Sequence, residues 1–350
     1  MVILSVLDQS PVPSGSSAQD AIANSVDLAQ RCEALGYSRY WLAEHHGTYG
    51  LAGSAPELLI AHIAAKTTTI RVGSGGVMLP HYSALKVAEL FRVLATMHPD
   101  RIDLGLGRAP GGTPLATLAL QRNRQHPAGD DFLEQLAELR AWLADDFPEN
   151  HPFAKQPATP VPETSPELWL LSSSGYSAQA AAHFGTGLCF AHFINAHGGP
   201  EAMAYYREHF AHYRNEDVAR TAIAVRVIVA DTNEEAEHLG ASMDLWRLRQ
   251  RRYGEHGAVP TPEEALAHSY TDADLSVVID SRSRAIAGDQ ERVHATLTEL
   301  ARDYGVDEIV AVTITHDHRA RVRSYELLAQ AFGLSSAKER NVAHSGVQLV

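Results

Sequence analysis

Four short stretches of this 350-residue chain carry side chains able to do chemistry, and each follows an apolar run. Glu44, His45 and His46 close the run RYWLA, where an imidazole could take or give a proton near neutral pH. The alternative there is a histidine hydrogen-bonded to a loop carbonyl. Neighbouring residues of an extended chain point to opposite faces, so His45 and His46 cannot grip one metal ion together. No H-x-E or H-E-x-x-H spacing supplies a zinc site either, and no metal is expected. Gly75 and Gly76 sit inside VGSGGVMLP (72–80). Adjacent glycines in a strand point to close approach of backbone to a ligand, to strained backbone geometry, or to a bulge at a barrel corner. LGLGRAPGG (104–112) brings Arg108 out among glycines, placed to meet an anion or to pair with an acidic surface group. Those glycines lack the dinucleotide-binding spacing, and Pro110 with Gly111 and Gly112 makes a loop rather than a helix start. WLLSSSGYSAQ places Ser172, Ser173, Ser174, Gly175 and Ser177 at the entrance to a helix. Hydroxyls and free N–H groups there make an anion site, best suited to phosphate. Ordinary N-capping would need only one of these serines.

The elements that must position these groups alternate from end to end. Apolar runs predict strands at 2–7, 39–43, 70–79, 102–106, 168–171, 187–190, 222–229 and 308–313. Helical periodicity predicts helices near 18–35, 54–66, 84–96, 130–144, 176–184, 200–213, 233–251, 289–304 and 319–332. The first begins at a capping-box pair, Ser17 and Asp20, and ends at Gly36. Eight strand–helix units without hairpin signals predict a parallel sheet closed into a (β/α)8 TIM barrel, with an open doubly wound sheet as the alternative. In such a barrel catalytic groups gather where strands exit at their C-terminal ends, which is where all four stretches fall. Two segments exceed a minimal barrel. Residues 146–166 are Pro-rich and aperiodic, and 252–288 are irregular with one strand-like run, Leu275–Ile279. Both read as loops able to gate a cavity or as surface elaboration. Residues 1–335 are expected to form one domain, and 336–350 a polar tail.

Composition narrows the partners. Lys and Arg total 29 against 42 Asp and Glu, a formal charge of −13, which argues against nucleic acid and anionic membrane surfaces. No run reaches the length of a membrane span, and the start has no signal-peptide pattern. Cys32 and Cys189, far apart and outside any C-x-x-C, read as small core residues in a reducing cytoplasm.

Taken in order, WLAEHHGTYGLAGSAPELLIA, VGSGGVMLPHYSALKVAELFRVLATMHPDRIDLGLGRAPGG and LWLLSSSGYSAQAAA resemble the bacterial luciferase-like flavin monooxygenases. VIVADTNEEAE and GVDEIVAVT extend the likeness over nearly the whole chain. It is nearest to the oxygenases of actinomycete secondary metabolism, including those that tailor aromatic polyketides. The resemblance implies a β/α barrel, usually a homodimer, that binds reduced FMN at its C-terminal mouth. It assigns His45 to the family's active-site histidine, and Gly75 and Gly76 to a non-proline cis peptide under the flavin ring. Arg108 with Ser173, Ser174 and Ser177 would hold the FMN phosphate. Two departures stand out: Gly107 replaces the reactive cysteine of bacterial luciferase, and Ser173 replaces a glutamate. A second phosphate-binding arginine has Arg122 or Arg124 as substitutes. Without the cysteine, light emission from long-chain aldehydes is not expected.

The implied reaction is that of a two-component monooxygenase. A flavin reductase supplies reduced FMN, by contact or by diffusion, and a flavin carbon-4a hydroperoxide hydroxylates or epoxidises a bulky organic substrate, such as an aromatic polyketide in antibiotic biosynthesis. Three alternatives remain: hydride transfer by a deazaflavin, a non-catalytic flavin-binding barrel, and a hydrolase using Glu44.

Overall fold

The computed structural model describes residues 2–121, 131–212 and 218–335. Its strands are β1 (Ile3–Asp8), β2 (Arg39–Leu42), β3 (Arg71–Met78), β4 (Ile102–Gly107), β5 (Glu167–Ser172), β6 (Gly187–Ala191), β7 (Thr221–Val229), β8 (Ala285–Gly288) and β9 (Glu308–Val312). All pair in parallel, in the order β6-β5-β4-β3-β2-β1-β9-β7, and a β6–β7 pairing closes the ring into a (β/α)8 barrel. The remaining strand, β8, pairs with Arg226–Val229 of β7, beyond Thr221–Ala224 where β6 pairs.

Around the barrel lie α1 (Ala18–Leu35), α2 (Pro56–Ala64), α3 (Ala84–Met97), α4 (Pro114–Leu120), α5 (Phe132–Ala144) and α6 (Gly175–Phe184). They continue as α7 (Gly199–Glu208), α8 (Asn233–Leu248), α9 (Pro262–Ala267), α10 (Asp272–Arg282), α11 (Gln290–Tyr304) and α12 (His318–Ala331). The start of α1 is the expected capping box, with Ser17 and Asp20 each bonding the other's backbone N–H. Gly36 ends it at φ 91°, a left-handed cap that a residue with a Cβ adopts only under strain.

Strand residues facing outward join the helices in one large apolar layer, while Leu7, Trp41, Trp169, Cys189, Ala224 and Val310 fill the barrel interior. Below them, at the strands' N-terminal ends, charges close the barrel floor. Arg39 donates to Asp103 at 2.9 Å, to Glu308 at 3.0 Å and to Glu167 at 2.9 Å. Arg71 reaches the other oxygen of Asp103 at 2.6 Å, and Ser5 donates to Glu308 at 2.6 Å.

Two expectations need correction. Residues 146–166 are irregular as read, but they link α5 to β5 and so approach the barrel from the strands' N-terminal end. The Thr164 hydroxyl accepts from the Asp100 N–H at 2.9 Å, just ahead of β4, and no residue of the segment lines the cavity described below. It cannot gate that cavity. Leu275–Ile279 is helical, part of α10, because Thr271 and Asp274 form a capping box just ahead of it. Its apolar residues mislead: Leu275 and Ile279, one turn apart, both face solvent. The extra strand is β8 instead, whose four residues AIAG are too short and small to stand out. Arg122, Arg124 and the tail 336–350 lie outside the described residues.

Candidate active site

The strand exits surround a cavity of about 430 Å³, within the range of small-molecule sites. His45, Gly75, Gly76, Arg108, Ser173, Ser174 and Ser177 all line it, so residues read from four separate stretches meet in one place.

His45 reaches the cavity because Glu44 does not. Extending β2, the two alternate, and Glu44 is fully buried on the other side. Its carboxylate accepts from the Met78 N–H at 2.9 Å and the Tyr82 hydroxyl at 2.7 Å, and lies 2.6 Å from Nε2 of His46. Glu44 is thereby committed to holding the exits of β2 and β3 together, which leaves no free carboxylate for the hydrolase alternative. The backbone N–H of His45 donates to Gly53 at 2.8 Å, while its Nδ1 is buried with no partner among the described residues. Burial, then the nearby Arg247 charge, then His46 push the His45 imidazole down to about 4. The near-neutral pKa expected from histidine's intrinsic value is therefore corrected: in this site the ring is neutral at pH 7.

The Gly75–Gly76 peptide is cis, and the β3–β4 register shifts between Gly75 and Val77. A Cβ on Gly75 would stand 2.5 Å from Leu7, and one on Gly76 2.6 Å from the Gly105 carbonyl. The glycines serve close packing as well as the turn in backbone direction, and both flank the cavity.

Arg108 and the serines form the opposite wall. The Arg108 guanidinium lies over the Tyr176 ring, 4.2 Å from its centroid, which draws the β4 exit onto the first turn of α6. No carboxylate among the described residues lies within 4.0 Å of it. Ser174 caps α6 by position, yet its hydroxyl makes no capping bond. Ser172 bonds the Ser174 backbone instead, and Asn195 donates to the Ser173 carbonyl at 3.0 Å. Among the described residues, the first-turn N–H groups of α6, the hydroxyls of Ser173, Ser174 and Ser177 and a cation are left for an anion. Together with the apolar side chains of Leu7, Trp41 and Leu171 on the same cavity, this donor set fits a molecule with an apolar ring system and a terminal phosphate.

Sequence reading did not anticipate Gln9, Met78, Phe193, Ile194 or Arg247, which also line the cavity. Arg247 had one signal: it is a charged residue between the apolar Trp246 and Leu248, both fully buried. Cys189 is also on the wall, and burial pushes its thiol far above the usual range, so it is unreactive.

A closed parallel barrel whose C-terminal mouth gathers a histidine, an arginine and a helix N-terminus around one cavity has the arrangement of an enzyme active site. The luciferase-like monooxygenase family model matches residues 2–308, and the chain belongs to that family of flavin-dependent monooxygenases. YwcH of Bacillus subtilis (strain 168) is 49% identical over 336 residues, 95% of this chain and 99% of that protein. The N-acetyl-S-alkylcysteine monooxygenase of the same strain is 40% identical over 332 residues, 95% of this chain and 98% of that protein. Among solved structures, apo-MsnO8 matches with a TM-score of 0.87 and 40% identity, covering 96% of this chain and 100% of that one.

Proposed function

We propose that this chain is the oxygenase component of a two-component, FMN-dependent monooxygenase. Arg108, Ser173, Ser174 and Ser177 would hold the FMN phosphate, and the Gly75–Gly76 wall would support the ring. Reduced FMN, when bound, supplies the electrons that activate dioxygen. The chain's own residues orient the reactants and keep water out. Neutral His45, with its unpartnered Nδ1, holds or moves a proton beside the apolar wall. The observation that carries this reading is the Arg108–α6 cradle, a cation and unspent donors in the same cavity as His45.

The substrate is an organic molecule whose oxidised part lies against Leu7, Trp41 and Phe193. Hydroxylation or epoxidation of a bulky substrate, aromatic polyketides included, and oxygenation of a thioether are both compatible with such a wall. The name of the N-acetyl-S-alkylcysteine monooxygenase supports adding S-alkyl compounds to the substrates tried. A separate reductase would deliver the flavin, and the active form would be a cytoplasmic homodimer.

Anaerobic titration with reduced FMN and with a reduced deazaflavin tests the cofactor. Reduced FMN should bind more tightly, and Arg108→Ala should weaken it by about 1–3 kcal/mol, the cost of a charged hydrogen bond. Binding of the deazaflavin alone, or an unchanged FMN affinity in Arg108→Ala, would overturn the assignment. Absence of substrate-dependent oxygen uptake across a broad panel would favour a non-catalytic flavin carrier.

A further inference from the structure

The cavity has a second cationic pole that the phosphate cradle does not use. Arg247, on the last turn of α8, lines the cavity, and its Nε is buried without a hydrogen-bond partner. Its only side-chain bond among the described residues is a long one, 3.5 Å to Gln250, and no described carboxylate lies within 4.0 Å of it. A buried guanidinium nitrogen is costly to leave unpaired, and native structures seldom do so without a water or ligand to complete it.

Its position separates it from Arg108. The neighbouring Trp246 packs with Leu51, Val259 and Ile314, and its Nε1 donates to the Gly257 carbonyl at 2.8 Å. Leu51 follows β2 and Ile314 follows β9, so this end of α8 lies over the exits of β9, β1 and β2. In the closed ring those exits face β4 and β5, which carry Arg108 and the serines. A phosphate held by Arg108 and the first turn of α6 would sit on the other side of the ring from this end of α8.

The surroundings reinforce the charge. Arg226, Arg251 and Arg284 stand close enough that Arg247 and Arg284 lower the Arg226 pKa and Arg251 and Arg284 lower that of Arg247, in each case after burial. Arg226 is satisfied by Ser281 at 3.0 Å, and Arg251 and Arg284 share Asp280. Asp244 is taken by Arg282. The Arg284 Nε also lacks a partner among the described residues, but Arg247 is the member of the cluster that lines the cavity, in a chain whose formal charge is −13. Just beyond it, α8 widens into a π-helical turn, Arg249–Tyr253, a local irregularity frequent at functional sites.

We propose that Arg247 is the recognition residue for a carboxylate on the organic substrate, so that the enzyme acts on molecules combining an apolar, oxidisable body with an anionic end. The guanidinium fork suits a carboxylate, and the site then orients its substrate by an ion pair at one pole while the cofactor phosphate is held at the other. This rests on the FMN reading above, which assigns the Arg108 pole to the cofactor.

Calorimetric titration of the full chain with 4-phenylbutanoate and its uncharged twin 4-phenylbutanamide, with and without saturating FMN, tests the proposal. The carboxylate should bind to the FMN-loaded protein about 10- to 100-fold more tightly than the amide. Arg247→Gln should abolish that preference and Arg247→Lys should keep part of it, with FMN affinity unchanged in both. Equal binding of the two probes, binding of neither, or loss of FMN affinity in Arg247→Gln would overturn the assignment, the last by giving Arg247 to the flavin ring. Circular dichroism confirms that each variant is folded. If FMN itself fails to bind, the cofactor reading falls, and the carboxylate preference of the unloaded protein still decides the role of Arg247.

Discussion

At the scale of single residues, the site works by leaving chosen groups unsatisfied. Glu44 and His46 spend polar atoms on each other and on the β3 exit, whereas the His45 Nδ1 and the Arg247 Nε have no partner among the described residues. His45→Ala should lower turnover several-fold while leaving FMN affinity nearly intact; collapse of flavin binding would make the residue structural. The depressed imidazole also makes a pH prediction. Its pKa falls from 6.5 to about 4 on folding, so the unfolded chain binds the proton more readily between those values. The stability it contributes is complete above pH 6.5 and is lost as pH falls towards 4. Native protein should therefore lose more thermal stability than His45→Gln between pH 7 and pH 4.5, and parallel Tm curves would contradict the buried neutral ring. The places of His45 and Arg108 at the cavity were legible because each follows an apolar strand directly. Arg247 was not, since helical periodicity gives its place on a helix but not the wall that helix faces.

At the scale of elements, the strand–helix alternation was readable almost throughout, because each barrel strand is a short apolar run and each helix repeats every three or four residues. Failures came where those signals decouple from burial, as in α10 with its outward Leu275 and Ile279, and in the four-residue β8. α4 escaped notice as well, being a single short helix started by Thr113 and Pro114. Contacts between β3 and β4 are close enough to predict their tolerance. A Cβ at Gly105 would stand 2.1 Å from the Ser74 carbonyl oxygen, backbone that cannot step aside, whereas one at Gly175 meets nothing within 4 Å. Gly105→Ala should cost about 1–3 kcal/mol by overpacking. Gly175→Ala should leave urea stability unchanged or slightly raised, and similar losses in the two variants would contradict the packing described.

At the scale of the whole molecule, the barrel has a charged floor and a chemically open mouth. Arg39, Asp103, Glu167 and Glu308 come from four strands far apart in sequence, which is why no local pattern announced them. Arg39→Met would leave Asp103 and Glu308 buried with fewer cations to face, and should destabilise the fold by about 3–5 kcal/mol in urea unfolding. A change below about 1 kcal/mol would show that Arg71 alone balances the floor. The mouth, by contrast, is tied together above β3, where the loops after β2 and β4 meet. His46 bridges to Gly112, and its N–H donates to Gly111 at 2.9 Å, so the loop after β2 and the loop that begins with Arg108 share a seam. A tightening of the Arg108 loop around an anion would pull, through this seam, on the residue next to His45. On the FMN reading, arrival of the cofactor phosphate would then be felt mechanically beside His45 before any substrate enters.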